Sequence, residues 1–144
     1  MAKFIALDME NADDGVWLNL VLFEIKAGLP KKGDELQLLI KTEKRFNDSV
    51  LEMMSLFCEL DGEAMDKFTS LIENASIVLI DGFSLTNVAA LYCGFMNNPV
   101  IVNVSEMARC LNFDMEQGEN KCEVIMNSFV SIWKKQTFVC APYA

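Results

Sequence analysis

The sequence predicts an α/β fold with one mixed β-sheet and helices on the faces of that sheet. Three apolar segments separated by short polar turns open the chain, which is typical of an antiparallel meander. From residue 49 onwards the apolar spacing becomes that of helices, and short β-branched runs recur between them. A meander followed by strand–helix alternation favours one mixed sheet whose later strands are parallel.

The three strands of the meander are predicted at residues 3–7, 16–26 and 35–42. The turn signal Asp13-Asp14-Gly15 separates the first strand from the second. The segment 29–34 contains proline and glycine and is interpreted as the break before the third strand.

The rest of the chain is predicted to alternate helices with short buried strands. Helices are expected over 49–60, from 61 or 62 onwards, 85–95, 105–111 and 121–136, and strands over 76–80 and 100–104. Ser84 and Ser105 are predicted to cap the helices that follow them. No linker, repeat or low-complexity run interrupts the sequence, so we expect a single domain over residues 1–144.

The composition excludes several classes of function. The 144 residues include 12 Lys and Arg against 21 Asp and Glu, which gives a net charge of −9. This argues against a protein that grips nucleic acid mainly through a broad basic surface. The chain contains no histidine, which excludes His-based triads, His metal ligands and a Cys/His protease.

The cysteines predict a reducing compartment. Their number is five, which is odd, and no two have CxxC spacing. We therefore expect buried thiols in a cytoplasmic protein without a zinc site. The opening apolar run is too short for a signal peptide, and no stretch approaches the length of a membrane span.

The segment Phe4-Ile5-Ala6-Leu7-Asp8-Met9-Glu10 resembles the first motif of the DEDD (DnaQ-like) 3′→5′ exonucleases, in which an apolar strand leads into Asp-x-Glu. Residues 73–84 are similar to the helix end and next strand of that family. Residues 98–109 are similar to its fifth strand and the helix after it. The resemblance covers most of the chain and implies a ribonuclease-H-like fold.

The resemblance also implies a metal site. DEDD enzymes hold two divalent ions with four carboxylates, and oxygen ligands suit Mg²⁺ or Mn²⁺. If the chain is an active enzyme, the resemblance implies that Asp8 and Glu10 are catalytic residues that bind the metal ions. We expect their side chains to point in different directions unless the end of the strand bends.

Two of the four acidic positions depart from the family pattern. Ser84, or Leu85 with a shift of one residue, stands where the family has its second-motif Asp. The last-motif Asp falls near Lys121, with no His or Tyr beside it. A lysine would repel a metal there, and its ammonium would instead neutralise Asp8 and Glu10.

Other acidic residues are candidates to complete the site. Asp81 ends a predicted buried strand near the missing second-motif position, and Glu119 and Glu123 flank the start of the last helix. Asp114 lies in the polar loop before that helix and is a further candidate.

These departures favour a catalytically impaired exonuclease-like domain. Such an acidic domain would act as an inhibitor or adaptor that binds the basic surface of a nucleic-acid-handling protein, and a phage or mobile-element origin would suit that role. The alternative is an active Mg²⁺- or Mn²⁺-dependent 3′→5′ exonuclease on DNA or RNA. A third interpretation is a self-associating structural protein, in which the apolar tail with Phe138, Val139 and Tyr143 pairs with a second copy.

Overall fold

A computed structural model describes residues 2–41, 62–81 and 100–140, with side chains up to residue 135. The strands are β1 (Phe4–Ala12), β2 (Gly15–Lys26), β3 (Leu29–Lys41), β4 (Ile77–Ile80) and β5 (Val100–Asn103), and the helices are α1 (Gly62–Glu73), α2 (Val104–Cys110) and α3 (Lys121–Cys140). The predicted helices over 49–60 and 85–95, with Ser84 and Tyr143, lie outside the described residues. None of the helices that the structure describes has both the length and the hydropathy of a membrane span.

All five strands belong to one sheet in the order β3-β2-β1-β4-β5. β2 is antiparallel to both β1 and β3, whereas β1 is parallel to β4, and β4 is parallel to β5. This confirms the predicted α/β class, the antiparallel meander and the parallel later strands. β1 lies at the centre of the sheet, so its residues contact elements from both halves of the chain.

The first hairpin explains why β1 is longer than predicted. Ala12 pairs with Gly15, so Asp13-Asp14 forms the two-residue turn that the sequence predicts. The pairing with β2 continues back from this turn through the polar end of β1. The predicted strand end at residue 7 is therefore wrong, because backbone hydrogen bonds to β2 extend the strand beyond its apolar run.

The second hairpin turn is tighter than the sequence prediction. Lys26 pairs with Leu29, and the two residues between them, Ala27 and Gly28, have φ values of 53° and 75°. Two positive φ values match the type I′ turn, whose twist suits a two-residue hairpin. β3 therefore begins at Leu29 instead of residue 35.

A register shift lets β3 include the segment that was interpreted as a break. Val21 pairs with Glu35 but Phe23 pairs with Lys32, so β3 holds one extra residue there, as in a β-bulge. Pro30 is accommodated near the end of the strand, opposite Ile25.

Helices cover both faces of the sheet, as predicted. The face with the odd-numbered residues of β1 packs against α1, and its buried members include Ile5, Leu7, Val78, Phe68 and Ile72. The face with the even-numbered residues packs against α2 and α3, and its buried members include Phe4, Ala6, Leu79, Ala108, Ile125 and Phe129. The polar continuation of this second face, beyond Ala6, is where Asp8 and Glu10 lie.

Two helix ends differ from the sequence prediction. α2 begins at Val104, and Asn103 is its cap because the Asn103 side-chain oxygen accepts a hydrogen bond from the Glu106 amide. The predicted capping role of Ser105 is therefore wrong. α3 continues to Cys140 instead of ending at residue 136, since no glycine or proline occurs before Pro142.

Candidate functional site: an acidic cavity beside β1

The two acidic residues of the first motif share one face of β1. Asp8 and Glu10 are two residues apart, and side chains at that spacing point to the same side of a strand. The expectation that they diverge unless the strand bends is therefore wrong. Asp8 is 7% exposed, whereas Glu10 is exposed to solvent.

Polar residues from the neighbouring strands extend this row across the sheet. Asn19 of β2 lies opposite Asp8, and Gln37 of β3 lies opposite Asn19. The Asn19 side-chain amide donates a hydrogen bond of 3.4 Å to Glu10. The sheet therefore presents a polar strip where an apolar core would otherwise continue.

The start of α3 closes this strip into a cavity of about 120 Å³. Four carboxylates and one ammonium group line it: Asp8, Glu10, Glu35, Glu119 and Lys121. Asn120 caps α3 by accepting a hydrogen bond of 3.1 Å from the Glu123 amide. The cap fixes where the helix begins, and so it fixes where Lys121 enters the site.

Lys121 binds the carboxylate that follows β4. The Lys121 Nζ lies 2.8 Å from an Asp81 carboxylate oxygen. Burial alone would raise the pKa of Asp81, but hydrogen bonds from Lys121 and Ser105 outweigh burial and hold this pKa below its ordinary value. The hydrogen bond to Asp81 raises the pKa of Lys121 against the effect of its own partial burial. The ion pair therefore stays charged at neutral pH.

The charge of the buried Asp8 carboxylate is not fully compensated by its surroundings. Burial, and to a lesser extent the charge of Glu10, raises the pKa of Asp8 from 3.8 to about 6. The positive charge of Lys121 and a hydrogen bond from the Met9 amide act in the opposite direction but do not cancel these effects. Perturbed carboxylates of this kind concentrate at functional sites.

Cys122 closes the inner wall of the cavity and is chemically inert. Its thiol is buried and lies 3.4 Å from the backbone oxygen of Asn19. Burial and the nearby charge of Asp8 raise the pKa of the Cys122 thiol to about 12. Because the thiolate is the reactive form, this cysteine does not serve as a nucleophile.

Two candidate substitutes do not join Asp8 and Glu10. Glu123 binds Lys32 of β3 at 2.6 Å, and Lys32 also binds Glu35 at 3.2 Å. Asp114 is exposed in the loop before α3. The remaining candidates are Glu119 and Asp81. Glu119 lines the cavity with Asp8 and Glu10. Asp81 forms an ion pair with Lys121, which also lines the cavity.

The side chains present do not fit a two-metal centre. Across residues 2–41, 62–81 and 100–135, no three acidic or cysteine side chains lie close enough together to hold one ion. The ammonium of Lys121 is instead the cation that binds Asp81. Two-metal chemistry needs carboxylates that are free to bind the ions.

Sequence reasoning missed the site residues that β2 and β3 contribute. Asn19 was detectable, because the Asp13-Asp14 turn pairs Ala12 with Gly15 and counting back along both strands puts Asn19 opposite Asp8. Gln37 was not detectable in this way, because its position depends on the unpredicted turn at Ala27 and on the register shift in β3.

Comparisons with known proteins give no family assignment. No family model matches the chain, and no curated protein matches it. The functional assignment therefore depends on the residues of the acidic cavity.

Proposed function

We propose that the chain is a ribonuclease-H-like domain of the DEDD exonuclease kind whose catalytic centre is impaired and which acts by binding a protein. The order β3-β2-β1-β4-β5, with β2 alone antiparallel to β1, supports the fold assignment. Asp8 and Glu10 on the central strand support the relationship to the first exonuclease motif.

The ion pair between Lys121 and Asp81 is the observation that carries the impaired assignment. In the DEDD exonucleases that the chain resembles, the start of the last helix supplies a carboxylate to the metals. In this chain the same position supplies the ammonium group of Lys121, which lies 2.8 Å from Asp81. A fixed positive charge at this point opposes the approach of a divalent cation. Loss of catalysis follows from this exchange of a negative ligand for a positive side chain.

The charge of the site supports a basic partner. Glu10, Glu35 and Glu119 are exposed at the cavity, on a chain whose net charge is −9. Complementary charge speeds encounter and fixes the orientation of two proteins. We therefore assign the role of an inhibitor or adaptor that covers the basic, nucleic-acid-binding surface of its partner in the cytoplasm. We also propose that the protein is encoded by a phage or a mobile element.

One observation favours the alternative of an active metal-dependent 3′→5′ exonuclease. Asp8, Glu10 and Glu119 all line the same cavity. In that alternative, Mg²⁺ or Mn²⁺ would be the cofactor and DNA or RNA the substrate.

A basic probe tests the docking assignment. We expect a fluorescent oligoarginine peptide to bind the protein at low ionic strength and to dissociate at high ionic strength. Replacing Glu10, Glu35 and Glu119 together by glutamine is expected to weaken binding about tenfold, because each exposed charge pair contributes about 0.2–1 kcal/mol. Fluorescence anisotropy measures both effects.

The matched control removes the same number of charges from α1, on the opposite face of the sheet. It replaces Glu63, Asp66 and Glu73 by their amides and is expected to weaken binding by less than about threefold. Equal losses for the two triple variants would contradict the assignment of the cavity as the docking surface, since net charge alone would then explain the binding.

A further inference from the structure

We infer that the second half of β3, residues 35–41, pairs with the same segment of a second copy of this chain, so that two sheets join edge to edge. β3 is an outer strand of the sheet, and among the described residues only β2 pairs with it. The outer edge of such a strand presents backbone amide and carbonyl groups that can bind a further strand. This inference is independent of the proposed function, because the pairing uses the edge of the sheet.

The two halves of β3 differ in their protection against such pairing. The first half, residues 29–34, contains Pro30, Lys31, Lys32 and the register shift described above. Proline, lysine and β-bulges are the features by which proteins keep edge strands from pairing. Residues 35–41 contain no proline and pair with β2 without a register shift. The second half of β3 is therefore a regular stretch of edge strand that can accept a partner.

The sequence of this stretch is complementary to itself in the antiparallel direction. It reads Glu-Leu-Gln-Leu-Leu-Ile-Lys, with Leu38 at its centre. Antiparallel pairing centred on Leu38 places Glu35 opposite Lys41 of the partner subunit, and the two-fold axis repeats this pair. Opposite charges directly across an antiparallel pair stabilise it, whereas like charges destabilise it. The charges at the two ends of the stretch thus favour a second copy as the occupant.

The apolar side chains between these charges would continue the core across the boundary between the two sheets. Leu36, Leu38 and Ile40 lie on the face that packs against α1, and the two leucines remain partly exposed in the single chain. In the dimer, Leu38 lies opposite its own copy and Leu36 lies opposite Ile40 of the partner subunit. This pairing removes apolar surface from water, which is favourable.

The dimer would present both acidic cavities on one side of the joined sheet. Directly opposite residues of an antiparallel pair point to the same side, and Glu35 lines the cavity of its own chain. Glu35 and its copy would lie about 20 Å apart along the boundary, from the rise per residue of a strand. A basic partner of the dimer would therefore meet two acidic surfaces that face the same way.

Charge reversal at positions 35 and 41 tests this register. Glu35→Lys leaves two positive charges on the edge and Lys41→Glu leaves two negative ones, so each variant opposes like charges in its own dimer. We expect sedimentation velocity to show a concentration-dependent dimer of the wild type and a dissociation constant at least about tenfold higher for each variant alone. An equimolar mixture of the two variants should dimerise like the wild type, because every pair is again of opposite charge.

The matched control makes the same charge changes on an exposed ion pair of α1. Glu63 and Lys67 lie 3.4 Å apart there, and Glu63→Lys and Lys67→Glu give the same net charges as the two edge variants. We expect these controls, alone and mixed, to dimerise within about twofold of the wild type. If Glu35→Lys does not fold, Glu35→Gln combined with Lys41→Glu replaces it, since removing the repelling carboxylate should restore part of the dimer.

Three results would overturn the inference. The first is a wild type that stays monomeric up to millimolar concentration. The second is a dimer that Glu35→Lys and Lys41→Glu leave unchanged, because another surface would then hold the two copies together. The third is an equal effect of the edge variants and the α1 variants, which would attribute the association to net charge. The binding of a basic peptide by the acidic cavity tests the proposed function separately from all three.

Discussion

Replacing Asp8 by asparagine is expected to stabilise the protein by about 3 kcal/mol at neutral pH. The pKa of Asp8 is about 6 in the folded protein against an ordinary value of 3.8, chiefly because the side chain is buried. Folding therefore opposes ionisation of this carboxyl group. Asparagine removes the charge and keeps an oxygen that accepts the hydrogen bond from the Met9 amide.

The sign of this effect fixes its pH dependence. An acid whose pKa is raised on folding contributes stability below its unfolded pKa of 3.8, and that contribution is lost as the pH rises through about 6. The free energy of unfolding of Asp8→Asn should therefore exceed that of the wild type most strongly above pH 7, by about 3 kcal/mol. This difference should vanish near pH 4.

Urea unfolding near pH 4 and above pH 7 measures the difference, with Asp66→Asn on the exposed side of α1 as the control. Equal stabilities of wild type and Asp8→Asn above pH 7 would show that Asp8 ionises without cost. A stabilising substitution at Asp8 would indicate that the aspartate is kept for function instead of stability.

Replacing Phe129 by alanine is expected to destabilise the protein by about 3–5 kcal/mol, the usual cost of removing a buried phenylalanine ring. Phe129 is 4% exposed in the middle of α3. Its ring centroid lies 5.2 Å from that of Phe4, which in turn stacks on Phe23 at 5.3 Å. These contacts hold α3, and with it Lys121, against the sheet.

Trp133→Ala is the matched control because it removes an aromatic ring from the same helix and the same cluster. The Trp133 ring is 6.1 Å from that of Phe129, but the residue is 44% exposed, so its loss should cost less than half as much. Thermal unfolding of the two variants gives the comparison. A larger loss for Trp133→Ala would mean that the exposed end of the cluster, and not Phe129, anchors α3.

The central features of the fold were predictable because they follow from local pattern. The apolar run before Asp8 predicted the first strand of the sheet, and the two short β-branched runs predicted the parallel strands β4 and β5. The full length of β3 was not predictable, because the turn places Ala27 at positive φ, a conformation for which asparagine or glycine is the usual signal.

The candidate site was predictable only in part. The sequence identified Lys121 as a departure from the metal-binding pattern, since that required only alignment of motifs. It did not identify Asp81 as the partner of Lys121, because the two residues are 40 positions apart and meet only through the parallel pairing of β1 with β4. Contacts of this kind depend on topology, which residue spacing does not encode.

The most direct test of an impaired catalytic centre is a nuclease assay with 3′-labelled single-stranded DNA and RNA in the presence of Mn²⁺. The wild type and Asp8→Ala are compared side by side. We expect neither protein to shorten either substrate, because Lys121 occupies the site with a positive charge. Cleavage by the wild type that disappears in Asp8→Ala would contradict this account and would establish an active exonuclease.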